Sequence, residues 1–198
     1  MKFADLDLSK TYTYADYFKW QFEERVELIK GKIFRMSPAP SRLHQKIAGY
    51  IHLRIGNFLE NKPCEVYTAP FDVRIPKKTK ADKEIITVLQ PDVCVICDLN
   101  KLDKKGCLGA PDIVVEVLSP GNNAKELRNK YAVYEEAGVK EYWIVSPQDQ
   151  WVQVHRLMDN KFTLSPNYVV GDEVMSDVLP GFSLSLADLF KGIDPDDL

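Results

Sequence analysis

At 198 residues, with 45% hydrophobic and 28% charged side chains, the chain has the composition of an ordinary globular protein and is long enough to bury a sizeable core. A net charge of -3 excludes the strongly basic balance of a protein that coats nucleic acid, so any contact with a polyanion has to be local. The opening stretch M-K-F-A-D-L-D-L-S-K is acidic and polar, and no later run approaches the roughly 18 apolar residues of a membrane span. These features predict a cytoplasmic protein, not a membrane one, organised as one domain over residues 1–198.

Thr13 followed by Asp16 forms a capping box with Asp in the place of Glu, and predicts a short aromatic helix over residues 14–22. V-E-L-I-K-G-K-I-F-R-M predicts a β-hairpin turning at Lys30-Gly31, which Ser37-Pro38-Ala39-Pro40 breaks. Ile47, Ile51, Ile55, Phe58 and Leu59 recur at helical spacing and predict the first long core helix, from residue 41 or 42 to residue 60. After Pro63, C-E-V-Y-T-A-P-F-D-V-R-I-P reads as one long strand interrupted at Pro70. Further strands are expected over 92–97 and 112–118. A turn at Ser119-Pro120-Gly121-Asn122 leads into a helix over 124–137 that Gly138 closes, and E-Y-W-I-V over 141–145 is the next buried strand. A second hairpin turns at Asp159-Asn160, L-P-G-F-S-L-S-L-A-D-L-F ends in a short helix, and I-D-P-D-D-L reads as a frayed acidic end. This alternation predicts an α/β protein: a mixed sheet with helices packed on it, an N-terminal helix and hairpin, and a β-rich C-terminal extension.

Cys64, Cys94, Cys97 and Cys107 suggest no disulfide framework. Cys94 and Cys97 form C-x-x-C inside a strand-like run, where residues three apart face opposite ways, and no second pair completes a zinc site. They are expected to be buried small hydrophobes. Two basic loops, over 74–83 and 100–105, read either as solvated tips or as phosphate contacts.

The chemistry centres on Glu116, set among Ile113, Val114, Val115, Val117 and Leu118 in a strand that reads as buried on both faces. A buried carboxylate has to be neutral, paired or metal-bound, because leaving it ionised and alone costs roughly several kcal/mol. Asp112 and Asp92, each after a proline, are the candidate partners. Asp112 shares a strand with Glu116, but four residues at about 3.3 Å is roughly 13 Å, too far for one ion, so Asp112 reads as a polar cap. Asp92 belongs to another strand, and neighbouring strands lie about 4.8 Å apart, so in the right register the two carboxylates converge on one cation. On the following helix, Leu127, Tyr131 and Tyr134 mark the apolar stripe and Lys130 borders it. Lys130 then points at the acids or pairs with Glu126 on the surface. His52 and His155 show no partner pattern.

The run Q-P-D-V, P-D-I-V-V-E-V-L-S-P, the Lys-Tyr helix, Gly-Val and E-Y-W-I-V resembles the Uma-type endonucleases, a branch of the PD-(D/E)XK restriction-endonuclease-like superfamily. The resemblance runs from V-E-L-I-K-G-K, through M-S-P-A-P-S-x-L-H, to the L-P-G-F tail. It implies a four-stranded mixed sheet in αβββαβ order and a divalent-metal nuclease site. Asp92 and Glu116 match the motif acids, which with the Val117 carbonyl would bind Mg²⁺ or Mn²⁺. The motif lysine is expected at position 118, where Leu118 stands; Lys130 fits its displacement onto the helix. Glu27, between Val26 and Leu28, is a further acid for the site or an exposed hairpin residue. His44 contacts substrate or makes a local hydrogen bond at the helix start. The expected function is a metal-dependent endonuclease acting on nucleic acid, DNA before RNA, with a homodimer as a further implication. The alternatives are a catalytically weak or inactive nuclease-like binding module, and a structural Glu116–Lys130 ion pair.

Overall fold

The computed structural model describes residues 2–36, 40–119 and 124–193; the proline-rich break at 37–39, most of the turn before the second long helix and the acidic end lie outside the described residues. The chain begins with a 3-10 turn at Phe3–Asp5 and helix α1 (Tyr14–Tyr17). The capping box forms as the sequence implies: the Thr13 N–H and hydroxyl both donate to the Asp16 carboxylate, at 2.9 and 2.8 Å. The helix ends at Tyr17 rather than near residue 22. Beyond it Trp20 packs against Tyr17 and Phe22, and aromatic side chains gain more from such ring contacts than from a helix that restricts their χ1.

β1 (Val26–Ile29) and β2 (Lys32–Arg35) make the expected hairpin, with Lys30 and Gly31 at φ 51° and 79°, the left-handed pair that a two-residue turn requires. Then follow α2 (Arg42–Leu59), β3 (Glu65–Thr68), β4 (Val73–Arg74), β5 (Val88–Leu89), β6 (Val93–Ile96), β7 (Leu102–Asp103), β8 (Gly106–Leu108) and β9 (Ile113–Val117). After α3 (Ala124–Ala137) come β10 (Glu141–Ser146), β11 (Trp151–Met158), β12 (Lys161–Leu164), β13 (Tyr168–Val169), β14 (Glu173–Met175), β15 (Ser183–Ser185) and α4 (Leu186–Leu189).

The main sheet runs β12-β11-β10-β9-β6-β3, with β13 added on β11. β6 is antiparallel to β3 and β9, and β9 is parallel to β10 across α3. The elements α2, β3, β6, β9, α3 and β10 therefore follow the αβββαβ order. A second sheet, β2-β1-β5-β4-β8-β7, is built from the hairpin and from the long insertion between β3 and β9.

Strand alternation divides the core. Val93, Val95, Ile113, Val115 and Trp143 join Ile47, Ile51 and Ile55 of α2 in one cluster. Cys94, Ile96, Val114 and Tyr142 on the opposite face join Val133 and Tyr134 of α3, together with Ile29, Val73 and Leu89 of the second sheet. α3 is thus packed against both sheets, and the even-numbered face of β9, which carries Glu116, turns toward it.

Three expectations are corrected. The run 64–76 is not one interrupted strand: after Ala69-Pro70 the chain leaves the main sheet, and β4 pairs with β5 and β8 in the second. Cys97 is not a buried free thiol but is disulfide-bonded to Cys64, while Cys94 and Cys107 are free and buried. The β3–β6 register pairs Glu65 with Ile96, so the next pair outward is Cys64 opposite Cys97, a relation that local spacing does not display. Arg74 is no loop-tip cation: it lies in β4, 1% exposed, with its guanidinium donating to Asp103.

Asp112 is a cap, as the strand distance implied. Its carboxylate accepts from the Cys97 N–H at 2.7 Å and pairs with Lys140 at 2.7 Å. Burial pushes this carboxyl up, but Lys140 and the Cys97 N–H outweigh it and hold it below its ordinary value of 3.8. A depressed folded-state value stabilises the fold above the unfolded value and loses that contribution as pH falls. Asp112→Asn should therefore lower stability by about 1–2 kcal/mol at neutral pH. In urea titrations across pH, the difference from wild type should close below the ordinary aspartate range. Among the described residues no helix is long and apolar enough to cross a membrane.

Candidate active site

β6 and β9 pair Val93 with Val115 and Cys94 with Val114, so the position one step beyond the ladder sets Asp92 opposite Glu116. This is the register on which convergence of the two acids depends.

Glu116 is buried, and both of its side-chain hydrogen-bond partners among the described residues come from α3. Lys130 of α3 donates to Oε1 and Oε2 at 3.0 and 3.1 Å, and the Tyr134 hydroxyl, one helical turn on, donates to Oε1 at 2.8 Å. Lys130 is 5% exposed, so it is not a solvated surface lysine. Its ammonium also lies 3.2 Å from Glu27 Oε1, which accepts the Gln90 N–H at 2.9 Å, while Glu27 Oε2 is buried without a hydrogen-bond partner. Glu27 is 1% exposed, so the reading as an exposed hairpin glutamate is excluded; it stands behind Lys130 and is not among the residues that face the cavity.

Burial pushes the Glu116 carboxyl upward; Lys130 and Tyr134 pull it down, Asp92 and Glu27 push it up, and the balance stays above the usual carboxylate range. Lys130 shifts upward as well, since Glu116 and Glu27 more than offset its burial.

Asp92 is held separately. Its Oδ2 accepts the Val117 N–H at 2.8 Å and lies 3.1 Å from His44 Nε2. Burial lowers the imidazole, but Asp92, Glu116 and the Val117 backbone together raise it above its ordinary value. Ser41 caps α2 by accepting the His44 N–H at 3.2 Å, which fixes the turn that carries this ring.

Asp92, Glu116, Val117 and Lys130 meet on one wall of a cavity of about 270 Å³. His44, Gln45, Ala48, Gly49 and His52 of α2 line the same cavity, as does Arg25. His52, Arg25 and Tyr134 are the residues that sequence reasoning missed. Signals existed for two of them: His44, Ala48 and His52 repeat at i, i+4, i+8 on one helix face, and Tyr134 follows Lys130 at i+4; none marked Arg25. His155 packs instead against Tyr131, Tyr142 and Phe162, away from the cavity. Neither basic loop lines the cavity. Lys101 donates to the Ala110 carbonyl, and Lys105 pairs with Asp82.

Among the described residues no group of three or more His, Cys, Asp or Glu is gathered as a metal cage. Two carboxylates at a cavity suit a different ion: Mg²⁺ is usually held by one or two carboxylates and keeps several waters. The donors are hard oxygens, and Glu27 and Glu116 share the one Lys130 ammonium, with Asp92 a third acid opposite Glu116. The residues fit such an ion.

The strand order and flanking helices define a restriction-endonuclease-like protein. The family model Uma2, described as "Putative restriction endonuclease", matches residues 14–187, and the chain belongs to this family. In Synechocystis sp. (strain ATCC 27184 / PCC 6803 / Kazusa), "Uncharacterized protein slr1290" is 24% identical over 181 residues, spanning 90% of each chain. The crystal structure of "a putative nuclease belonging to DUF820" from Anabaena variabilis ATCC 29413 matches with a TM-score of 0.69 at 20% identity, over 90% of this chain and 97% of that one; at this identity the likeness is one of fold.

Lys130→Met should cost about 3–5 kcal/mol in urea unfolding, because Glu27 and Glu116 then share a buried space without a cation. Adding Glu27→Gln should recover part of that loss. A single-variant cost below about 1 kcal/mol, in the range of an exposed pair, would contradict the assignment of Lys130 as their shared counter-charge.

Proposed function

We propose that the protein is a metal-dependent endonuclease that hydrolyses phosphodiesters of nucleic acid, DNA in preference to RNA. The observation that carries this reading is the placement of Asp92 opposite Glu116 at a cavity into which Lys130 also reaches. Asp92 and Glu116, with the Val117 carbonyl, would hold Mg²⁺ or Mn²⁺. When bound, such an ion polarises a phosphoryl oxygen and lowers the pKa of a coordinated water.

The protein's own groups do the remaining work. His44 and the Val117 N–H fix the Asp92 carboxylate through one oxygen. Tyr134 fixes Glu116 from behind, and Glu27 keeps the Lys130 ammonium charged and at the cavity wall. From there Lys130 can orient a water or steady charge that develops on a phosphoryl group, the role that Leu118 cannot fill. His44 and Arg25 also line the cavity, where they would meet a phosphate.

A second reading, a nuclease-like binding module without turnover, draws on the contact of Lys130 with both Glu116 oxygens. The two separate in a cleavage assay on supercoiled, linear duplex and single-stranded substrates with Mg²⁺ or Mn²⁺. The wild type should cleave only with the ion, and Asp92→Ala and Glu116→Gln should each lose about 100-fold or more in rate. Binding without cleavage under every ion condition supports the module. Ion-independent cleavage, or cleavage untouched by either variant, contradicts the metal site.

A further inference from the structure

The aromatic segment after α1 is not used by the site described so far, yet it adjoins it. A groove of about 340 Å³ is walled by Phe18, Trp20, Phe22, Arg25, Pro70 and Gln90. Arg25 also lines the cavity that holds Glu116, and Pro70 follows Ala69, another residue of that cavity. On its other side, Phe18, Pro70 and Gln90 also wall a depression of about 450 Å³ that is closed by Lys104 and Lys105. Three depressions thus share their walls and form one track, from Glu116 past the aromatic shelf to the β7–β8 hairpin.

The chemistry of the track changes along its length. Arg25 stands at one end and Lys104 at the other, both exposed. Phe18 is 60% exposed and carries the Lys105 ammonium 5.2 Å from its ring centre. Trp20 stacks on Phe22 at 5.5 Å, with an interplanar angle of 29°. The acids are unevenly distributed. Asp103 by the lysines is held by Arg74, and Asp72 accepts from Tyr14, Tyr17 and Gln90. Glu23 and Glu24 stand beside the aromatic shelf itself. A phosphate would be repelled there, whereas the uncharged face of a base would not.

Cations flanking one exposed ring, Phe18, and two half-buried ones, Trp20 and Phe22, suit a polynucleotide whose bases are free to stack. A fully paired duplex offers phosphates and groove edges but no free base face. We propose that this track binds an unpaired strand of the nucleic-acid substrate, with a base stacked on the Phe18–Trp20–Phe22 shelf and phosphates near Arg25 and Lys104. The substrate class is then single-stranded, flapped or gapped nucleic acid rather than continuous duplex. The proposal rests on the nuclease reading of the cavity.

The test is binding, read in EDTA so that cleavage does not intervene, with 2-aminopurine oligonucleotides as the probe. Single-stranded, flapped and fully paired forms of one sequence are compared for wild type, Phe18→Ala and Lys104→Glu. The wild type should bind the single-stranded and flapped forms about tenfold or more tighter than the duplex and quench the unpaired 2-aminopurine. Phe18→Ala should lose about tenfold on the unpaired forms and leave duplex binding within about twofold. Lys104→Glu should flatten the salt dependence on the unpaired forms. Equal affinity for all three forms, absence of quenching, or unchanged binding by Phe18→Ala overturns the track. Selective binding with no cleavage when Mg²⁺ or Mn²⁺ is restored leaves the track standing and overturns the nuclease reading alone. Cleavage confined to paired duplex and unaffected by Phe18→Ala overturns the track alone.

Discussion

The arrangement turns on one buried ammonium. Lys130 of α3 lies between Glu116 of the main sheet and Glu27 of the second, and so ties together the three layers that meet in that half of the core. Neither carboxylate could remain ionised at that depth alone, and neither could the lysine; together they tolerate burial. The count of charges is uneven, however. Two carboxylates face one ammonium, with Asp92 opposite across the strand pair; burial above all, and the neighbouring Asp92 and Glu27 after it, keep the Glu116 carboxyl raised. A protein built only for stability has little reason to keep an acid excess at a cavity. The proposed hard-cation site would use that excess.

The second sheet has a role in this beyond extra core. It supplies Glu27 and, through Gln90, the N–H that fixes it, and its β1–β2 hairpin sets Arg25 at the cavity mouth. The same Gln90 accepts from Arg25 at 2.9 Å and donates to Tyr17 and Asp72, so one residue links the aromatic segment to Glu27 behind Lys130. The proposed track and the candidate site therefore share a scaffold.

Much of this was legible in the sequence because it rests on period and on short-range geometry. The αβββαβ order follows from alternating hydrophobic patterns, and the 3.3 Å rise of a strand alone separates Asp112, a cap, from Asp92, which sits opposite Glu116. Spacing set Lys130 beside the Leu127–Tyr131–Tyr134 stripe but left open whether it faced the acids or paired with Glu126 on the surface; its burial decides between them. What escaped depends on pairings between distant segments. The pattern around Glu27 marks a strand, yet it does not say that the strand lies in another sheet with its acid turned toward α3. The Cys64–Cys97 bond depends on the β3–β6 register, and the departure of the chain at Pro70 depends on β5 and β8 being available as partners. His52 escaped because its place on the His44–Ala48 face has no meaning until that face is known to line a cavity.

The claim that Asp92 and Glu116 form a two-carboxylate cation site is tested most directly by anomalous scattering from crystals grown with Mn²⁺. The account predicts a single strong peak bonded to both carboxylates, lost in Glu116→Gln crystals that otherwise keep the fold. Ordered Asp92 and Glu116 side chains with no peak between them, or a peak bound elsewhere and indifferent to that substitution, would contradict it.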